Sequence, residues 1–200
     1  MYQFFESIKV KDGVIYNLSN HQDRVNRTLK NFGISENKIA LTEIVKTVPI
    51  PKKSLYKLRI SYGLEGSFQH EMIPYQYKKI SKFSLVDIKG QQYDFKFENR
   101  AWINDALLQS GKDEIMMHDA GFIKDSSYAN LVFFDGSKWY TPAKPLLEGT
   151  QRAKLLKDGI IQAKAIHINE LDSFHSFRLI NAMMLWENST EYSISLISIP

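Results

Sequence analysis

Three places in this 200-residue sequence could do chemistry on a small phosphorylated or amine-bearing ligand, and they lie far apart along the chain. Lys96 stands between Phe95 and Phe97. Apolar neighbours that withdraw an ammonium from water lower its pKa and free the amine as a nucleophile. The same three residues read equally as a strand lysine turned toward water. Gly149-Thr150-Gln151-Arg152 puts small and polar residues at a helix start, where unpaired backbone N–H groups and the helix dipole attract a phosphate. An ordinary helix cap has this pattern too. Arg24, on the polar side of a helix, offers a fork of donors to a phosphate, although arginines in such places commonly lie in solvent. Other reactive types are sparse. There is no cysteine, so disulfides, thiolate metal sites and cysteine nucleophiles are excluded, and His21, His70, His118, His167 and His175 show no metal-binding spacing. No metal is expected.

The elements that position these residues follow from pattern. Apolar residues in Tyr2 to Val10 and Val14 to Tyr16 flank Lys11-Asp12-Gly13, and Asp-Gly supplies the positive φ angles of a tight hairpin. Ser19 can cap a helix in which Val25, Leu29 and Phe32 recur at helical spacing, ended by Gly33. A second helix is expected from Ser35 to Val48, closed by Pro49 and Pro51. Strands are expected at Leu55 to Tyr62, Phe68 to Ile80 and Phe83 to Ile88. A helix follows at Glu98 to Gln109, then short strands at Glu114 to Met117, Phe122 to Lys124 and Asn130 to Phe134. Gly149-Thr150 opens a helix over Gln151 to Lys157, and strands are expected around Ile160 to Ile168 and Glu191 to Ile199. A linker near Ile88 to Gln92 divides the chain into a small α+β domain, 1–88, and a larger domain, 89–200.

Composition narrows the function classes. The chain is 44% hydrophobic and 24% charged, enough apolar residues for a packed globular core. Its net charge of +4 comes from 26 basic and 22 acidic side chains scattered along the sequence, without the basic stripe of a nucleic-acid surface. The first ten residues lack the pattern of a signal peptide and no stretch has the length of a membrane span. A cytoplasmic protein with no nucleic-acid or membrane partner is expected.

Order along the chain adds what no block carries alone. Phe5-Glu6-Ser7-Ile8-Lys9-Val10-Lys11-Asp12-Gly13, His21-Gln22-Asp23-Arg24-Val25, Tyr93 to Arg100, Gly121 to Phe133, Tyr140-Thr141-Pro142 and Leu147 to Arg152 together resemble the class IV aminotransferases, over Phe5 to about Met184. The resemblance implies a two-domain α+β fold of the D-amino-acid aminotransferase type, with a shortened N-terminal domain because the chain starts at the FESI block. It implies pyridoxal 5'-phosphate (PLP) as cofactor and a homodimer. Lys96 matches the lysine that carries the cofactor as a Schiff base and then moves the substrate's α proton. Arg24 matches the arginine on the cofactor phosphate, and Thr150-Gln151 the helix start that binds it from the other side. Asn130 and Asn99 match positions near the cofactor, Asn99 with a structural role as its alternative. Asp125 stands where the family has a glutamate facing the pyridine nitrogen, one methylene shorter here.

Within the family, Asp125-Ser126-Ser127-Tyr128-Ala129-Asn130-Leu131 and Leu179-Ile180-Asn181-Ala182-Met183-Met184 resemble the segments of 4-amino-4-deoxychorismate lyase more than those of the branched-chain or D-amino-acid aminotransferases. This implies release of 4-aminobenzoate and pyruvate in folate synthesis, with amino-acid transamination, or a PLP fold without efficient catalysis, as alternatives. The arginine that lyases often place after the Leu58-Arg59-Ile60-Ser61 strand is missing from Tyr62-Gly63-Leu64-Glu65-Gly66-Ser67, which leaves Lys9, Lys57 or Arg59 as candidates for a substrate carboxylate.

Overall fold

The computed structural model describes residues 2–34 and 38–198, which divide into two compact units, one of the described residues up to Tyr77 together with Phe95–Asn99, the other of Lys78–Asp94 together with the described residues from Arg100 onward.

In the first unit an antiparallel sheet has the order β2-β1-β3-β4, with β1 at Phe4–Lys11, β2 at Val14–Ile15, β3 at Leu55–Tyr62 and β4 at Phe68–Pro74. The β1–β2 hairpin turns at Asp12 (φ 51°) and Gly13 (φ 83°), both positive as the tight turn demands. Strand alternation aims Phe4, Ile8 and Val10 of β1 and Leu58, Ile60 and Tyr62 of β3 at Val25 and Leu29 of helix α1 (Leu18–Asn31). That face is the unit's core. The residue capping α1 is Asn17, left-handed at φ 53°, not Ser19, because asparagine tolerates that conformation.

The second helix is shorter than its pattern predicts, with α2 running over Leu41–Thr47. Residues 35–37 lie outside the described residues, and 38–40 are not helical. The cause is tertiary. Gln22 on α1 accepts from the Leu41 amide and donates to the Ile39 carbonyl, so the start of α2 is satisfied from another element and the approach can stay extended. Likewise β4 stops at Pro74 rather than Ile80, since Pro74 pairs with Tyr56 and β3 begins one residue earlier. Beyond that point no partner strand remains. The segment Phe95–Asn99 joins this unit through the Phe5 amide on the Lys96 carbonyl (3.0 Å) and the Glu98 amide on the Gln3 carbonyl (2.9 Å).

The second unit holds a mixed sheet and the remaining helices. Its main path is β10-β9-β8-β7-β6-β5-β13, with β5 at Phe83–Asp87, β6 at Glu114–Asp119, β7 at Phe122–Ser126, β8 at Asn130–Phe134, β9 at Trp139–Pro142, β10 at Gln162–Lys164 and β13 at Ile197–Ser198. Strand β11 (Ser176–Ile180) pairs with β8 and with β12 (Glu191–Ser193). Parallel β5 and β6 are connected through α3 (Ala101–Ser110), which ends at left-handed Gly111. The strands expected at 160–168 and 191–199 survive only as β10, β12 and β13, and Ile199 lies outside the described residues. Strand β10 stops early because β9 offers it only Tyr140 to Pro142. Helix α4 (Thr150–Lys157) starts at Gly149, as its sequence predicts. Among the described residues no helix is long and apolar enough to cross a membrane, and no His/Cys/Asp/Glu group could hold a metal ion.

Candidate active site

Lys96 is placed by its two aromatic neighbours. Phe97 packs on Phe4 (centroids 5.2 Å apart) and Phe95 on Phe32 (5.4 Å), both against the core of the first unit. The lysine between them takes the other direction, and its Nζ lies 4.4 Å from the Phe5 ring centroid. The apolar surface against the amine is therefore Phe5, not the flanking phenylalanines. Lys96 is half-buried and Asn99, which closes the segment, is exposed.

Arg24 is not a solvated helix arginine. It is 6% exposed, and its Nε and Nη2 donate to the two oxygens of fully buried Glu6 at 2.8 and 2.5 Å. His21, one turn earlier on α1, donates from Nδ1 to the same carboxylate at 2.5 Å. Burial pushes the Glu6 pKa up, but Arg24 and His21 outweigh it and hold the carboxyl down at about 2. Burial, with the nearby charges of Arg24 and Lys96, holds His21 below the usual imidazole range against the pull of Glu6. His21 therefore keeps its proton on Nδ1 and a lone pair on Nε2, which is buried and has no hydrogen-bond partner among the described residues. Glu6 takes the Nε edge of the guanidinium with two of its five N–H donors.

Glu6 was not singled out from the sequence, although strand parity pointed to it. Phe4, Ile8 and Val10 face the core, and Glu6 shares their side of β1. A carboxylate there needs buried partners, and His21 and Arg24, three apart on one helix face, are the ones available.

In the second unit Asp125 and Asn130 are the last pair of the β7–β8 hairpin. The four residues between them close on the Ser126 amide and the Ala129 carbonyl (2.8 Å). Asn130 Nδ2 donates to Asp125 Oδ1 at 2.7 Å and to the Leu147 carbonyl at 2.8 Å, while the Leu147 amide donates to Asp125 Oδ2 at 2.8 Å. The acid–amide pair thus grips the peptide at Leu147, just before α4. Burial pushes the Asp125 carboxyl up to about 6, against the Leu147 and Asn130 donors and the charge of Arg152. Gly149 has ordinary backbone angles but no room for a side chain, because a Cβ there would overlap Asn130 Oδ1. Thr150, 3% exposed at the first position of α4, has an Oγ1 with no hydrogen-bond partner among the described residues, and Gln151 beside it is buried. Arg152 is spent on structure, donating to Thr141 Oγ1 and the Pro142 carbonyl.

Each unit thus has an assembled group of sequence-predicted residues. Lys96 and Arg24 belong to the first unit, with Asn99 at the edge of its returning segment, and Asp125, Asn130, Thr150 and Gln151 to the second. The first offers an amine on an aromatic ring and a guanidinium clamped by an acid. The second offers a titratable buried acid and a helix start with an unsatisfied hydroxyl, which suits a phosphate.

Comparison with known proteins gives this chemistry a family. The amino-transferase class IV profile matches residues 3–188. An uncharacterized protein of Haemophilus influenzae is 38% identical over 186 residues, covering 92% of this chain and 98% of its own. A crystal structure from Haemophilus somnus 129PT, provisionally assigned as a 4-amino-4-deoxychorismate lyase, is 35% identical with a TM-score of 0.83, over 92% of this chain and 97% of that one. A hypothetical aminotransferase from Mycobacterium tuberculosis, solved with PLP bound, shares the fold at a TM-score of 0.76 and 15% identity, over 96% of this chain and 80% of that one.

Proposed function

We propose, for a chain that belongs to the class IV aminotransferase family and is a PLP-dependent lyase or aminotransferase, that its reaction is the lyase one: conversion of 4-amino-4-deoxychorismate to 4-aminobenzoate and pyruvate. The observation that carries this choice is the 35% identity to the Haemophilus somnus protein of that provisional assignment, over nearly the full length of both chains. The family's two-domain α+β architecture is present. The residues also fit the cofactor on their own terms. The unsatisfied Thr150 hydroxyl at the start of α4 suits a phosphate, and the positive charge of the buried Arg24 guanidinium, held in place by Glu6, suits an anion. The Phe5-backed amine of Lys96 suits a carbonyl.

In this reading Lys96 holds the cofactor covalently, Arg24 and the Thr150-Gln151 helix start contact its phosphate, Asn130 and Asn99 lie near it, and Asp125 serves its ring nitrogen. When bound, PLP delocalises the electrons of the bond that breaks at the amine-bearing carbon. The protein's own work is proton handling and placement. Released by the incoming amine, Lys96 Nζ takes the proton from that carbon. The ring becomes aromatic as the C–O bond to the enolpyruvyl group breaks, and the departing enol becomes pyruvate. The two products contain all the atoms of the substrate, so no oxidant or second substrate is required. A homodimer in the cytoplasm supplying folate synthesis is part of the same proposal.

The test is a two-way assay on the PLP-loaded protein. With 4-amino-4-deoxychorismate, stoichiometric 4-aminobenzoate and pyruvate are expected. With a panel of D- and L-amino acids plus 2-oxoglutarate, glutamate should stay at background. The reverse outcome makes the chain an aminotransferase and ends the lyase proposal.

A further inference from the structure

We propose that Arg59 binds a carboxylate of the amine substrate, and so makes the protein selective for amines that carry a carboxylate close to the reacting nitrogen. The inference rests on the reading of Lys96 as the cofactor lysine and adds a recognition residue to it.

The argument begins with strand parity. Because Leu58, Ile60 and Tyr62 fill the core side of β3, Lys57, Arg59 and Ser61 project from the opposite side, joined by Phe5, Ser7 and Lys9 of β1. Three cations stand on that sheet face, and their registers rank them. Phe5 pairs with Ser61, Ser7 with Arg59 and Lys9 with Lys57. Lys96 sits at the Phe5 end, its carbonyl bound to the Phe5 amide. Arg59 is the cation nearest that end, and Lys57 lies two residues, about 7 Å, farther along the strand. Lys9 is 1% exposed and lies over a different ring, that of Tyr16, at 5.4 Å.

Arg59 and Lys96 meet the same aromatic ring. The guanidinium carbon is 3.8 Å and the lysine Nζ 4.4 Å from the Phe5 centroid, so the two cations lie within about 8 Å of each other. An amine exchanging with Lys96 would bring a carboxylate a few bonds away within range of that guanidinium. The donors are available as well. Among the described residues Arg59 makes one hydrogen bond, from Nη2 to Glu98 Oε2, and its side chain keeps 27% exposure. A guanidinium has five N–H donors in a planar fork suited to a carboxylate. Stacking on Phe5 fixes the plane of that fork before any ligand arrives.

The alternative is that Arg59 only ties down the Phe95–Asn99 segment through Glu98. Titrating the PLP-loaded protein with alanine, 3-aminopropanoate, 4-aminobutanoate and propylamine, and following cofactor absorbance, separates the two roles. Wild type should bind at least one amino carboxylate about tenfold or more tighter than propylamine, and Arg59→Gln should remove about tenfold from that ligand while propylamine holds within about twofold. Glu98→Gln deletes the ion pair yet should preserve or raise the preference, since a competing carboxylate is gone. Should Arg59→Gln fold poorly, Arg59→Lys, which keeps the charge and loses the fork, should still weaken the preference. Equal weakening of propylamine, the same loss in Glu98→Gln, or a wild type without preference would overturn the anchor while leaving the cofactor reading intact. Borohydride reduction that labels a lysine other than Lys96 would overturn both together.

Discussion

Replacing Asp125 with asparagine should change how stability depends on pH, and the structure sets the size of the change. Burial moves the carboxyl from 3.8 to about 6, and a shift of that size is worth about 3 kcal/mol. A raised pKa means that the folded protein binds the proton more tightly than the unfolded chain. The contribution is therefore fully present below about pH 4, is lost as pH rises through about 6, and is absent at pH 7.5. Glu6, lowered from 4.5 to about 2, acts in the opposite sense, with stability lost as pH falls through that range, but it is the same in both proteins and cancels from their difference. The asparagine side chain cannot ionise, but it meets two donors, Asn130 Nδ2 and the Leu147 amide, with one acceptor oxygen. It should carry a pH-independent penalty of about 1 to 3 kcal/mol. The wild-type and Asp125→Asn stabilities should therefore differ most at pH 4 and meet or cross by pH 7, the difference moving by about 3 kcal/mol. Urea unfolding of the PLP-free proteins measures this through tryptophan fluorescence, since Trp102, Trp139 and Trp186 all lie in the unit that contains Asp125. A difference that stays flat from pH 4 to 8 would refute the reasoning, because Asp125 would then ionise as freely folded as unfolded. With PLP loaded, the same variant should keep the cofactor on Lys96 and lose turnover by orders of magnitude.

Borohydride reduction of the holoenzyme followed by peptide mapping should place the phosphopyridoxyl group on Lys96, and recovery on Lys112 or Lys124 would reject that assignment. Arg24→Ala should strip Glu6 of its bidentate partner and cost about 3 to 5 kcal/mol of folding stability before any ligand is considered; a melting shift below about 2 °C would show that the pair is not buried as described. Gly149→Ala meets no backbone strain but drives a methyl into Asn130 Oδ1, so it should cost about 1 to 3 kcal/mol and weaken PLP binding, read by equilibrium dialysis.

How much of this was visible in the sequence depends on whether the cause was local. The Asp12-Gly13 turn and the start of α4 at Gly149 are short-range effects, and spacing alone locates them. The alternation Phe95-Lys96-Phe97 also carried the right message, that the lysine leaves the core side, but not which surface it meets, because Phe5 is ninety-one residues away in the chain. The start of α2 was illegible for the same reason, being decided by Gln22 on another helix. A boundary drawn at one point, between 88 and 89, cannot express a segment such as 95–99 that packs with the earlier unit. Strand ends were overextended wherever the partner strand was short, as at β4 and β10. Local propensity continues there, and hydrogen-bond partners do not.

Two buried acids in this chain show why burial alone does not predict chemistry. Glu6 and Asp125 are both almost wholly withdrawn from water, yet one is held at about 2 and the other raised to about 6. The difference lies in their partners. Glu6 meets a full positive charge through two bonds from Arg24 and a third donor in His21, so its anion is more stable than in water. Asp125 meets an amide side chain and a peptide N–H, while Arg152, whose charge acts on it, donates to Thr141 and Pro142 instead. Neutral donors repay only part of the cost of burying a charge. Glu6 is thus fixed as an anion at any physiological pH and can only hold Arg24 and His21 in place. Asp125 stays within reach of protonation, and a positive group brought beside it would gain the stabilisation that its own surroundings withhold. A protonated ring nitrogen is such a group, which is why Asp125, and not the more strongly paired Glu6, suits the acid position of a PLP site.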